Sequence, residues 1–177
     1  SCSTYGISGK ELISEETLQK PLSPYGKSKY ITEQILNDWV KIYNFKAVSL
    51  RYFNASGADL DGEIGEFHVP ETHLIPNILL VSLGKKKTMP VYGKHFDTHD
   101  GTAIRDYIHV KDLALAHVNS LKHVLNNDES FSCNLGSGKG TSVLELIKIS
   151  ENITKTEIPF KIFPARIGDA PSLIANT

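Results

Sequence analysis

The sequence predicts an α/β fold built on parallel strands. Two observations carry this. Short β-rich runs bounded by turn residues alternate along the chain with longer stretches whose apolar residues recur at helical spacing. That alternation is the pattern of parallel strands joined by helical crossovers. Ligands of such sheets sit at the carboxyl ends of the strands, so the turns after the strands are the places to look for chemistry.

The elements follow in order. Residues 1–6, Ser-Cys-Ser-Thr-Tyr-Gly, read as the end of a buried strand running into a loop, and the stretch to Leu22 is polar and turn-rich. A first helix is predicted over 24–43, with Ser23 as its cap and Pro24 in its first turn. Ile31, Ile35, Trp39 and Ile42 form its apolar stripe, expected to face a core or a partner, and Asn44 ends it. Residues 47–53 form a strand, with 54–58 as the loop at its end. Residues 59–71 are acidic, glycine-bearing and irregular. A second helix spans 74–83 and stops at Gly84, and 89–92 is a short strand. After a polar loop over 93–101, residues 106–110 are strand-like and run into a helix over 111–125. Its apolar face includes Leu113, Leu115, Ala116, Val118 and Leu121. Residues 131–135 form a strand. Ser142 and Glu145 have capping-box spacing and open a helix to Ile153, and Ile162-Phe163 is a last short strand. There is no internal repeat. Both ends read as cut, so the chain is expected to be a piece of a longer protein.

The bulk properties narrow the function classes. The 177 residues are 40% hydrophobic and 22% charged, ordinary for a soluble domain. A formal net charge of −1 offers no general attraction to nucleic acid or to an anionic membrane. The one basic run, Lys85-Lys86-Lys87, follows Gly84 and reads as a solvated turn. Cys2 and Cys133 are far apart and form no C-x-x-C pair, which fits a reduced cytoplasmic protein. No signal peptide and no apolar run of spanning length is present.

The chemistry centres on Ser23-Pro24-Tyr25-Gly26-Lys27-Ser28-Lys29. On a helix, Tyr25 and Lys29 lie one turn apart on the same face. A nearby ammonium favours phenolate and lowers a tyrosine pKa from its usual value of about 10. Such a tyrosine can take a proton from an alcohol and return it, which is half of an alcohol oxidation. A serine of the 1–6 stretch could bond the same hydroxyl. Other patterns carry less. Gly136-x-Gly138-x-Gly140 lacks the G-x-G-x-x-G spacing and reads as a turn. His95 and His99, with Asp97 and Asp100, offer no evident third ligand, so no metal is expected. His109 and Asp112 read as a junction hydrogen bond and helix cap.

A resemblance rests on motifs that occur in order along nearly the whole chain. They are Ser-x-x-x-Tyr-Gly, Ser-Pro-Tyr-Gly-Lys-Ser-Lys, Leu-Arg-Tyr-Phe-Asn-x-x-Gly-Ala, Gly-Thr-x-x-Arg-Asp-Tyr-Ile-His-Val-x-Asp-Leu-Ala, Asn-Leu-Gly-x-Gly and Arg-x-Gly-Asp. With them the chain resembles the UDP-glucose (UDP-galactose) 4-epimerases of the extended short-chain dehydrogenase/reductase family. Their dehydratase relatives place an Asp-Glu pair just after the strand-end hydroxyl, where Cys2-Ser3 stands here.

The resemblance implies the C-terminal part of a Rossmann-like parallel sheet plus a smaller α/β substrate lobe. Residues 1–72 would complete an NAD-binding domain. Residues 73–177 would form the nucleotide-sugar lobe, with some elements packing back on the first part. It implies NAD as cofactor, a UDP-sugar substrate and a homodimer. Tyr25 would be the acid/base, Lys29 would hold the nicotinamide ribose, and Ser1 would bond the sugar 4-OH. Phe53 would line the nicotinamide site. Asn54 would touch the diphosphate, His73 and Leu74 would lie over the nucleotide, and Pro90 and Tyr92 would flank uracil. His73 departs from the family's usual Asn at that place. Arg105 and Arg166 would pair with the diphosphate, as arginine forks match phosphate oxygens. From the residues alone, both read rather as surface or ion-paired arginines, Arg105 standing next to Asp106. Asp169 would accept from ribose hydroxyls, or serve only as a turn residue after Gly168. Leu173 would stand where the family limits N-acetyl groups. The family's dinucleotide fingerprint lies on a first strand-helix unit. Nothing in these residues supplies it, so they alone are expected to bind NAD poorly. A non-catalytic nucleotide-sugar binder is the alternative from another class.

Overall fold

A computed structural model describes residues 1–9 and 12–177. The chain opens on a 3-10 turn, Cys2–Thr4, followed by helix α1 (Pro24–Tyr43) and strands β1 (Val48–Tyr52) and β2 (Asn54–Ser56). Helix α2 (Leu74–Ser82) leads to β3 (Met89–Tyr92) and β4 (Ile104–His109). Helix α3 (Val110–Asn127), β5 (Phe131–Leu135) and β6 (Gly140–Ser142) come next. Helix α4 (Val143–Thr154), β7 (Phe160–Phe163) and β8 (Ser172–Leu173) complete the order.

Parallel pairing dominates, as the alternation predicts. β1 pairs with β5, β2 with β4 and β3 with β7, all parallel. β4 is the hub. It also takes β6 antiparallel, with Ile104 opposite Ser142, and β8 parallel, with Arg105 opposite Leu173. The two-residue β8 continues into a bridge between Ala175 and Ile13, which fastens the tail to the N-terminal loop.

Local chemistry explains the helix ends. Ser23 Oγ accepts from Gly26 N–H at 3.0 Å, and Asn44 turns left-handed (φ 53°) to stop α1. Ser142 and Glu145 form the full capping box of α4, at 3.0 and 2.8 Å. His109 caps α3 by accepting from Lys111 N–H at 3.1 Å.

Two apolar clusters form the core. Ile78 and Val81 of α2, Met89 and Val91 of β3, Ile147 of α4 and Ile158 make the first. Cys2, Tyr5, Ile13, Phe53 and Ala175 make the second. Truncating a fully buried Ile78 or Met89 to alanine costs about 2–5 kcal/mol. Among the described residues no helix is long and apolar enough to cross a membrane.

Four expectations need correction. Residues 2–4 are a 3-10 turn rather than a strand end, because the backbone N–H groups of Thr4 and Tyr5 close back on Ser1 and Cys2 carbonyls. Residues 54–56 are a strand rather than a loop, because β4 offers a parallel edge. The α1 stripe is not core in this chain. Ile31, Ile35, Trp39 and Ile42 are exposed, and Gly26 and Glu33 face inward instead. On α3 only Leu113 is buried, while Leu115, Val118 and Leu121 are open to solvent.

Candidate active site

A cavity of about 750 Å3 lies between α2, β2, β3, β4 and the loop before β8. Each wall follows from local structure. On β3, alternation buries Met89 and Val91 and leaves Pro90 and Tyr92 on the opposite, half-open face. Both line the cavity, as does Asn54 at the start of β2. His73 and Leu74 begin α2, whose first-turn amides give a partial positive charge suited to anions.

The charged wall combines two stretches. Arg105 projects from β4, and its Nη2 lies 4.0 Å from Asp169 Oδ1. Its Nη1 donates to the Ile104 carbonyl at 2.8 Å. Burial of this guanidinium lowers its pKa, although Asp169 opposes that. Arg166 and Asp169 share a turn in which Asp169 N–H donates to the Arg166 carbonyl at 3.3 Å. Gly168 supplies the left-handed residue that the turn requires (φ 87°). The Arg166 guanidinium stacks 4.0 Å from the centroid of the Tyr92 ring. Thus Asn54, His73, Leu74, Pro90 and Tyr92 meet Arg105, Arg166 and Asp169 around one space.

The remaining candidates lie elsewhere. Tyr25 and Lys29 occupy the first turns of α1, with the Lys29 ammonium 5.4 Å from the Tyr25 ring centroid. Tyr25 is 56% exposed, so its ring stands in the open. The 3-10 turn packs directly on this helix start. A side chain at Gly26 would collide with the Ser3 carbonyl, so only glycine permits the approach. Ser1 Oγ accepts from Ser3 N–H at 3.3 Å within that turn. Phe53 is buried beneath it in the second core cluster, and Leu173 packs on the same cluster rather than on the cavity.

Cavity residues that the sequence did not single out include Tyr107, Glu66 and His68. Burial raises the Tyr107 pKa to about 12, so its phenol stays protonated. The signal for the other two lay in a stretch read only as an acidic irregular loop.

The model of the NAD dependent epimerase/dehydratase family matches residues 1–136. The chain belongs to this family. Within the NAD dependent epimerase/dehydratase family it is 44% identical to a UDP-glucose 4-epimerase of Rhizobium leguminosarum bv. trifolii, over 99% of this chain and 54% of that protein. It is 43% identical to one of Lactobacillus helveticus, over 100% and 54%. Among solved structures, a UDP-glucose 4-epimerase of Brucella ovis in complex with NAD superposes with a TM-score of 0.92 at 45% identity. The match covers 99% of this chain and 54% of that one. The enzyme of Bifidobacterium longum, in complex with NAD+ and UDP, gives 0.93 at 41% identity, over 100% and 53%. The chain spans about half the length of the curated relatives it matches. Its α/β architecture of parallel strands is that of these structural neighbours.

Proposed function

We propose that this chain supplies the nucleotide-sugar cavity and the proton-transferring tyrosine of an NAD-dependent UDP-glucose 4-epimerase. One observation carries the reading. Two arginines and a carboxylate, Arg105, Arg166 and Asp169, share a cavity of about 750 Å3 with Tyr92 and Pro90. That volume suits a ligand of nucleotide-sugar size. Arginine forks suit a diphosphate, an ionised carboxylate suits vicinal ribose hydroxyls, and Tyr92 offers a face to a planar base. The relatives' recorded chemistry, UDP-glucose epimerisation, supports the same substrate class.

Tyr25, assisted by Ser1, removes the proton of the sugar 4-OH and later returns it to the same oxygen once the 4-keto sugar has turned its other face. When bound, NAD supplies the hydride acceptor and donor at C4. Lys29 suits a ribose hydroxyl of that cofactor, because its ammonium lies on the same helix face as Tyr25, 5.4 Å from the centroid of that ring. The nucleotide end is held by Arg105, Arg166 and Asp169, which leaves the sugar free to turn between the two hydride transfers. Tyr25 and Lys29 are open to solvent in this chain. That openness supports the expectation that these residues alone do not enclose a nicotinamide, since such chemistry needs water excluded. The exposed row Ile31, Ile35, Trp39 and Ile42 supports a homodimer through α1. The free thiols Cys2 and Cys133 support a cytoplasmic setting.

The test is turnover of UDP-galactose by the full-length protein and its Tyr25→Phe variant. The variant should lose about 100- to 10,000-fold in kcat and keep its UDP affinity. Retained turnover would overturn the acid/base role. An inactive wild type that binds UDP-sugars would favour a non-catalytic binder.

A further inference from the structure

The loop before α2 brings two imidazoles and a carboxylate to one point. Glu66 Oε1 lies 3.0 Å from His68 Nε2 and 3.2 Å from His73 Nδ1. The three donor atoms all lie within 4.8 Å of one another. A fourth group, Glu71 Oε1, stands 2.9 Å from the same His73 nitrogen. The two imidazole rings are tilted against each other at 4.8 Å between centroids. None of this belongs to the arginine wall, although all four residues line the same cavity.

We propose that Glu66, His68 and His73 form a binding site for a zinc-class divalent cation at the cavity wall. Bonds of about 2.0–2.2 Å to nitrogen and oxygen in a tetrahedron put the ligand atoms a little over 3 Å apart. The two separations that run through Glu66, 3.0 and 3.2 Å, are a few tenths of an ångström short of that size. Mixed imidazole and carboxylate donors select zinc and its transition-metal neighbours over calcium or magnesium, which prefer all-oxygen cages. The charges agree, because two carboxylates converge here on imidazoles with no Lys or Arg paired to them among the described residues. Glu71 Oε1 also accepts from the His73 backbone N–H at 2.7 Å, which holds this second carboxylate beside the His73 ligand atom. Three protein ligands leave a fourth position open to water of the cavity. The bound cation fastens the loop carrying Glu66 and His68 to the first residue before α2.

The test uses untagged full-chain protein and zinc chloride, read by competition with a chromophoric chelator at pH 7.5. One zinc per chain is expected. His68→Ala and Glu66→Gln should each weaken uptake about tenfold or more, while His95→Ala leaves it unchanged. Neither His68 nor Glu66 has a place in the substrate contacts proposed above, and the readout does not depend on turnover. Far-UV circular dichroism establishes that each variant is folded, and the conservative Glu66→Gln stands in if His68→Ala is not. Failure of the wild type to take up stoichiometric zinc would overturn the proposal. Uptake unchanged in both variants would do the same.

Discussion

The guanidinium of Arg51 closes on the carboxylate of Glu33 inside the protein. Nη2 meets Oε2 at 2.7 Å and Nε meets the same carboxylate at 3.0 and 3.2 Å. Both side chains are less than a tenth exposed. Arg51 Nη1 also donates to Tyr5 Oη at 2.9 Å, and Tyr5 in turn donates to Asn134 Oδ1 at 2.7 Å. One charge pair therefore joins α1, the N-terminal turn, β1 and β5.

Removing one member of this pair should be more harmful than removing both. Arg51→Met leaves a buried carboxylate without its partner and should cost about 3–5 kcal/mol. The double variant Arg51→Met/Glu33→Leu should recover much of that loss. Urea unfolding of the full chain measures both. A double variant as unstable as the single one would mean that the pair itself, and not its uncompensated half, sets the stability.

At the cavity, Arg166→Met should weaken UDP binding by about ten- to hundredfold, the size of a lost charge-assisted contact. Tyr92→Leu should weaken it less. It removes the ring beneath Arg166, a contact worth about 0.5–1 kcal/mol at an exposed site. Calorimetric titration of the full-length protein with UDP gives both values. Equal affinity in Arg166→Met would remove this arginine from the diphosphate site.

Asp100 makes stability pH-dependent. Burial pushes its carboxyl pKa up, but hydrogen bonds from Ser142 Oγ, Thr102 Oγ1 and Thr102 N–H outweigh burial and hold it below the usual value. A depressed folded pKa stabilises the protein above the unfolded value of about 3.9, and the contribution fades as pH falls through the lower folded value. Asp100→Asn should therefore cost about 1–3 kcal/mol at neutral pH. The gap from wild type should narrow below about pH 4. Unfolding curves between pH 3 and 7 measure it, and a gap independent of pH would remove Asp100 as the source.

The two thiols should react in a fixed order. Burial raises the Cys2 thiol to about 11, so almost no thiolate exists near pH 8. Cys133 is also raised by burial, but it is only half-buried. Iodoacetamide should label Cys133 first in the native protein and both equally in urea. Early labelling of Cys2 would show that the N-terminal turn opens readily.

What was legible in the sequence was local. Ser23, Asn44, Ser142 and Glu145 act within a turn of their own helices, so the bounds of α1 and α4 could be read residue by residue. β6 and β8 could not, because their edge is Ile104 and Arg105, far away in the chain. The inward face of α1 is not legible for the same reason. Glu33 on a helix looks solvent-bound until Arg51 arrives from β1. Of the candidate site, the residues that line the cavity came from motifs, since no periodicity places Arg105 beside Asp169. In the sequence, His95 and His99 stand out as a histidine pair, but with no third ligand they carry no metal expectation. The pair that meets, His68 and His73, is brought together by the path of the loop before α2.

The stitch of Ala175 to Ile13 has a kinetic consequence. Ala175 N–H also donates to the buried Asp106 carboxylate at 3.1 Å, while Ser137 and Gly138 fill its other lone pairs. Ile13 and Asp106 thus both wait for a residue translated long after them, and contacts of such separation form slowly. The strand that carries Arg105 pairs earlier with β2 and β6, but its last partners, β8 and Ala175, come only after these. Ligand competence should therefore follow, in a nascent or refolding chain, the arrival of Ala175 at this carboxylate.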